Sequence, residues 1–318
     1  MAAGPKACST REYLAVTNLA RRAAIASVCS ALLLGGLKAW AVVQTGSVAV
    51  LASLADSVLD LFASLVTLGG VHWAAQPADE KHRFGHGKAE ALAALLQVVV
   101  IAVSALAILI RAIDRFRTGD IAASPESGIA VSLVAIAVTL ALTRYQAHVV
   151  RQTRSVAIGT DRIHYTSDLL LNASVIAALL LDAWGLRGAD PLFGIAIAFW
   201  LLFGAWRASE AAIDQLMDKE WPEEKRNAFV EVAARNPALR SLHDLRTRSS
   251  GNLDFVQFHI AMNPAMTILE AHDVVEALEK ELCAAFPGTE ILIHVDPEGH
   301  VDEPENPMIE ANLLKDAP

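Results

Sequence analysis

Cysteine is scarce. Three occur in 318 residues, Cys8, Cys29 and Cys283, an odd number with no C-x-x-C spacing among them. A thiolate metal site and a disulfide framework are therefore not expected, and unpaired thiols in a reducing compartment are. An H-E-x-x-H zinc-hydrolase motif is absent, as are a histidine-rich stretch and any internal repeat. The charge balance, 35 acidic against 26 basic residues for a net charge of −9, disfavours nucleic acid as a partner. Charge is also missing from long stretches of the first two thirds of the chain. Ala91 to Ile110 carries none at all.

What fills those stretches is apolar. Hydrophobic residues make up 54% of the chain, above the range of ordinary soluble domains. At ~1.5 Å per residue, twenty uncharged residues span the ~30 Å hydrocarbon core. Six such segments are expected, near 20–42, 47–72, 89–111, 126–149, 157–182 and 190–207. Buried helices of one soluble core are the competing reading, and six stretches in about 200 residues argue against it. An early cleaved signal peptide is disfavoured, because its positively charged segment would be too long and Lys38, just before the A-x-A at Ala39–Ala41, would interrupt the cleavage site.

An even number of spans puts both termini on one side, and basic residues choose which. Lys6, Arg11, Arg21 and Arg22 precede the first span, Lys81, Arg83 and Lys88 join the second to the third, and Arg144, Arg151, Arg154 and Arg162 surround the next such connection. Against them stand Arg111, Arg115, Arg117 and Arg187. Both termini are expected in the cytoplasm. The cluster Arg111, Arg115, Arg117 runs against the rule, with headgroup contact as the only account at this level.

Composition becomes mixed after Trp206. A helix over 222–234, strands over 242–248 and 253–262 joined by a turn at 249–252, a helix over 267–286 and a strand over 290–296 give an α-β-β-α-β order. The expected layout is a cytosolic arm at 1–19, a six-helix membrane domain at 20–208, a cytosolic α+β domain at 209–296, and an acidic, disordered tail at 297–318.

The informative residues are charged ones inside the spans. Asp56 and Asp60 lie on span two, His164 and Asp168 on span five, each pair at i, i+4 and so on one helix face. Ionisable groups in a bilayer face a partner, a cavity or a substrate. If span two ends near His72 and span five begins near Val156, the two pairs lie equally deep and can meet. Three carboxylates and one imidazole complete a tetrahedral zinc shell. A structural hydrogen-bond cluster is the bland alternative. Three acids with only Lys38 nearby would repel one another unless a cation joins them, which favours a metal.

Outside the membrane, Asp79, His82 and His86 form D-x2-H-x3-H in the second–third loop, by itself a weak signal. In the soluble part, strand alternation sets His259 apart from Val256, Phe258 and Ile260, and sets His294 and Asp296 apart from Ile291, Ile293 and Val295. His243 lies on the first strand and His272 at the edge of a helix stripe. Any one of these histidines reads best as a surface residue, but the set favours a metal cluster.

The segments SLADSVLDLFAS, PADEKHRFGHGKAEALAAL and DRIHYTSDLLLNA resemble the cation diffusion facilitator family, close to its bacterial YiiP/FieF-type members. The likeness covers about residues 12–296. It implies a homodimeric metal/proton antiporter of the bacterial inner membrane, with six spans and a metallochaperone-like (ferredoxin-like) cytosolic domain. It places the transport site on Asp56, Asp60, His164 and Asp168, a metal of unsettled role on Asp79, His82 and His86, and a binuclear site on His243, His259, His272, His294 and Asp296. It also implies a charge pair between Lys88 and Asp218. The expected cargo is Zn2+, with Cd2+ and Fe2+ as alternatives, exchanged for protons, and no cofactor beyond zinc. The alternatives are a metal sensor without flux and a membrane metalloenzyme. The second would need an open coordination position that four ligands do not leave.

Overall fold

A computed structural model describes residues 10–45, 48–118, 126–183, 189–299 and 312–315. The chain forms two compact units. One comprises Val16–Ala75 and Lys88–Ile213, the other Gln76–Gly87 and the chain from Asp214 on, with the first residues of the first helix.

The first unit is a helical bundle: α1 (Thr10–Thr45), α2 (Val48–Ala74), α3 (Ala89–Thr118), α4 (Glu126–Thr153), α5 (Val156–Ala183) and α6 (Ala189–Leu216). Five of these, all but α5, are long and apolar enough to cross a membrane. The exception carries Asp161, Arg162, His164 and Asp168. Two ends depart from the sequence expectation. Helix α1 already begins at Thr10, inside the expected arm, and α6 continues to Leu216 rather than ending near 207. A hydropathy boundary marks where apolar residues stop. Glu210, Asp214 and their neighbours end the apolar run without ending the backbone hydrogen bonding.

The bundle is apolar outside and polar inside. Trp40, Val43, Phe203 and Trp206 are exposed, whereas Ser27, Ser64, Gln97, Gln146, Asp161 and His164 are buried. Lipid accepts the former, and only neighbouring helices can satisfy the latter. Close approach has a sequence cause at Gly70, where a Cβ would lie 2.3 Å from the Ala93 Cβ, so α2 meets α3 across a residue without a side chain. Arg154, at φ 54, reverses the chain between α4 and α5. The Ser155 hydroxyl then accepts from the Ile158 amide at 3.3 Å and caps α5.

The second unit follows the expected α-β-β-α-β order: α7 (Glu223–Ala233), β1 (Ser241–Ser250), β2 (Leu253–Met262), α8 (Ile268–Ala285) and β3 (Thr289–Pro297). The sheet runs β1-β2-β3, with β1 antiparallel and β3 parallel to β2. The hairpin turn is tighter than expected. β1 runs on to Ser250 while β2 begins at Leu253 as expected, leaving Gly251 at φ 63 with Asn252. A capping box on Thr267 and Glu270 starts α8. Phe229, Leu242, Phe258, Ile260, Leu278 and Leu282 form the core between helices and sheet.

Two expectations are corrected here. Within the expected disordered tail, residues 312–315 are docked. The Asn312 side chain accepts from the Leu242 amide at 3.2 Å, and Leu313 and Leu314 pack on the core. Two apolar side chains beyond the acidic stretch give it surface to bury. Cys283 is disulfide-bonded while Cys29 is free, so the expectation of unpaired thiols fails for Cys283. Spacing excludes a C-x-x-C pair but says nothing about cysteines brought together by folding.

Candidate metal sites

In the bundle interior, α2 and α5 bring Asp60, His164 and Asp168 together, with ligand atoms all within 4.8 Å of one another. His164 Nε2 lies 3.1 Å from Asp60 Oδ1. The imidazole is buried. Asp56, a turn earlier on α2, lines the same cavity without entering this triad. The cavity encloses about 500 Å3. Lys38 also borders it, donating to Ser57 Oγ at 2.7 Å and to the Ser53 carbonyl at 3.2 Å. From the acids the cavity runs to Arg111 and Arg115 on the last turns of α3 and to Asp190 and Pro191 at the start of α6. That is the end of the bundle at which α3 finishes and α6 begins.

Sequence reasoning missed what holds α5 in place. Asp161 is fully buried, and its carboxylate accepts from Ser27 Oγ of α1 (2.6 Å), Gln97 Nε2 of α3 (2.7 Å) and Gln146 Nε2 of α4 (2.7 Å). Tyr165 donates to the Ser27 carbonyl at 3.0 Å and shares a 2.7 Å hydrogen bond with Ser64 of α2. The helix bearing His164 and Asp168 is thus fastened to four others within a turn of the triad. A single aspartate on a span was the visible signal, but its partners are scattered over the chain.

In the second unit, Asp79, His82 and His86 also gather within 4.8 Å. A turn at Gly85 (φ 79), whose amide donates to the His82 carbonyl at 3.0 Å, returns the chain so that His86 meets His82. Asp79 Oδ1 accepts from the His82 and Lys81 amides at 2.6 and 2.8 Å. The His82 amide in particular holds the Asp79 carboxyl below its ordinary pKa, so it is charged and ready to ligate.

Across the sheet, His243, His259 and His294 converge on Asp296. His259 Nδ1 is 3.0 Å and His243 Nε2 3.6 Å from Asp296 Oδ2, while His294 Nε2 is 3.2 Å from Oδ1. The register causes this: His243 pairs with His259 across β1–β2, and His259 with His294 across β2–β3. Each carboxylate oxygen faces a different histidine set, the placement a bridging ligand needs. Only His243, His259 and Asp296 satisfy the tighter grouping. His272 is not drawn into it. It lies on α8 and lines a separate cavity of about 510 Å3 that reaches Asp296. Asp244 was missed. It stands at φ 49 in the irregularity between His243 and Arg246, with Oδ2 3.8 Å from His259 Nε2. Only backbone geometry reveals it, although aspartate tolerates that conformation better than most residues. Replacing both His243 and His294 with alanine is expected to lower bound zinc in the purified protein while sparing the membrane triad. Unchanged zinc per chain by elemental analysis would refute the cluster.

Asp218 has a partner in its own unit, Arg248 Nη1 at 3.6 Å, that sequence reasoning did not name.

The chain matches two family models, the cation efflux transmembrane domain over residues 24–217 and the cation efflux protein cytoplasmic domain over residues 221–298. It is 43% identical over 280 residues to the cation-efflux pump FieF of Cronobacter sakazakii, covering 88% of this chain and 93% of that one. It is 42% identical to the FieF of Yersinia pestis over 277 residues, 87% and 92% of the two chains. Among solved structures, the zinc form of CzrB aligns at 38% identity, with a TM-score of 0.24, over 27% of this chain and 99% of its own. With model matches across both units and full-length relatives above 40% identity, the chain belongs to the cation efflux, or cation diffusion facilitator, family.

Proposed function

We propose that this chain exports divalent transition-metal ions, zinc first among them, from the cytoplasm in exchange for protons, as a homodimer in the bacterial inner membrane with both termini cytoplasmic. The observation that carries this reading is the gathering of Asp60, His164 and Asp168 in the interior of a bundle with an apolar exterior. Asp56 completes the shell as the fourth ligand. Family membership supports efflux as the activity, and a cytoplasmic domain of a family named for dimers supports the assembly.

Metal and protons compete for the same lone pairs, because a ligating imidazole is neutral and a ligating carboxylate ionised. Zinc entering from the cytoplasm displaces protons from the site. Exposure to the far side through the cavity bordered by Arg115 and Asp190 lets protons displace zinc. Asp161 and its hydrogen bonds to three other helices keep the two ligands of α5 in one orientation to meet α2.

Selectivity tests the role of the imidazole. An all-oxygen shell suits harder ions, so His164→Asp should shift preference from Zn2+ toward Mn2+ by about tenfold or more in competition flux assays. An unchanged preference would remove His164 from the ligand set.

A further inference from the structure

The three arginines that break the charge rule do not share one surface. Arg111 and Arg115 are a turn apart on α3 and both line the cavity above the triad. Arg117, about 240° around the helix from Arg111, is not part of that lining. Arg115 is committed to Asp190, Nη1 to Oδ2 at 2.8 Å, which cancels its charge and ties the end of α3 to the start of α6. Arg111 has no ion pair among the described residues, so it gives the cavity wall an uncompensated positive charge.

Headgroup contact suits Arg117 but not a residue on the wall of the metal's own path. A fixed cation there raises the energy of a divalent ion in the cavity. We propose that Arg111 is an electrostatic release residue: in the conformation open to this end it weakens the hold of the acidic site on divalent metal, speeding departure and opposing re-entry. This rests on the export reading. Asp56, Asp60 and Asp168 supply attraction in that cavity, His164 adds a ligand, and Lys38 and Arg111 are the opposing cations. Removing one unit charge about 10 Å from a divalent ion in water changes its occupancy about fourfold, and salt near 1 M, with a Debye length of about 3 Å, erases that difference.

The measurement is zinc export by purified protein in oriented proteoliposomes, with added zinc on the release side as inhibitor. Flux is normalised to each variant's own rate without that zinc. Arg111→Gln is expected to lower the half-inhibiting zinc concentration about fourfold at low ionic strength, with the difference gone near 1 M salt. Arg111→Lys, which keeps the charge, and Arg117→Gln, which removes one off the path, should match wild type. If Arg111→Gln does not fold, Arg111→Met removes the same charge and keeps more of the apolar stem. Equal inhibition of wild type and the Gln or Met variant overturns the proposal, as does a shift that survives high salt or is reproduced by Arg117→Gln. Wild-type vesicles that move no zinc would instead sink the export reading itself.

Discussion

Alanine at Asp168 should reduce zinc flux to the background of empty vesicles, a loss of about a hundredfold or more. The same holds for Asp60→Ala. Loss of an outer partner of a metal ligand already costs about 10–100-fold in affinity, and both of these carboxylates lie within 4.8 Å of the other triad atoms. Truncation removes an acceptor oxygen and leaves the buried imidazole without that charge beside it. The cytosolic cluster of His243, His259 and Asp296 gives a control inside the same molecule. Its zinc should stay bound in either variant, separating a lost transport site from a lost fold. Near-normal flux in either folded variant would take the assignment down.

The second large effect is that of pH on zinc binding at the same site. Each proton that zinc must displace weakens apparent affinity about tenfold per pH unit on the acid side of the titration. The sign is fixed by competition: protons occupy the lone pairs zinc requires, so acidification weakens binding and alkalisation restores it until the site is deprotonated. Between pH 7.5 and 6.5 the affinity should fall, by up to about tenfold for one displaced proton and up to about a hundredfold for two. The background must lack the other sites, which His82→Ala, His243→Ala and His294→Ala together provide. A flat profile by equilibrium zinc titration over that range would rule out proton displacement at the triad.

The acidic cluster in the bundle was legible because membrane burial makes charge rare and the i, i+4 spacing makes it directional. Asp56, Asp60, His164 and Asp168 were named from that alone; the last three meet, and Asp56 lines the same cavity outside the triad. The loop triad was a weak signal in the sequence, because it depends on the turn at Gly85 that returns His86 to His82. In the sheet, alternation separated His259 from its apolar neighbours, but not the Cα pairing that puts His243, His259 and His294 side by side. His272 shows the limit of stripe reasoning: a residue at the edge of a helical stripe can face a cavity instead of a cluster.

Other features depend on tertiary placement and left little trace. The donors of Asp161 come from residues 27, 97 and 146, and no local pattern joins them. The strained backbone at Asp244 follows from the shifted register. The docking of Asn312 and Leu313 depends on a polar backbone group of β1 that the tail's composition cannot reveal. The end of α6 was misplaced because helix and hydrocarbon boundaries differ: Arg207 to Leu216 remains helical after the apolar run stops.

Metal is expected to leave by exchange with protons at Asp56, Asp60, His164 and Asp168. The direct measurement records zinc and pH together in proteoliposomes holding the purified protein, with zinc on the cytoplasmic side and an imposed pH gradient. Zinc movement should carry protons the opposite way, quicken when the far side is made acidic, and vanish with its proton signal in Asp168→Ala. Zinc flux indifferent to the gradient, with no proton counterflow, would contradict the account.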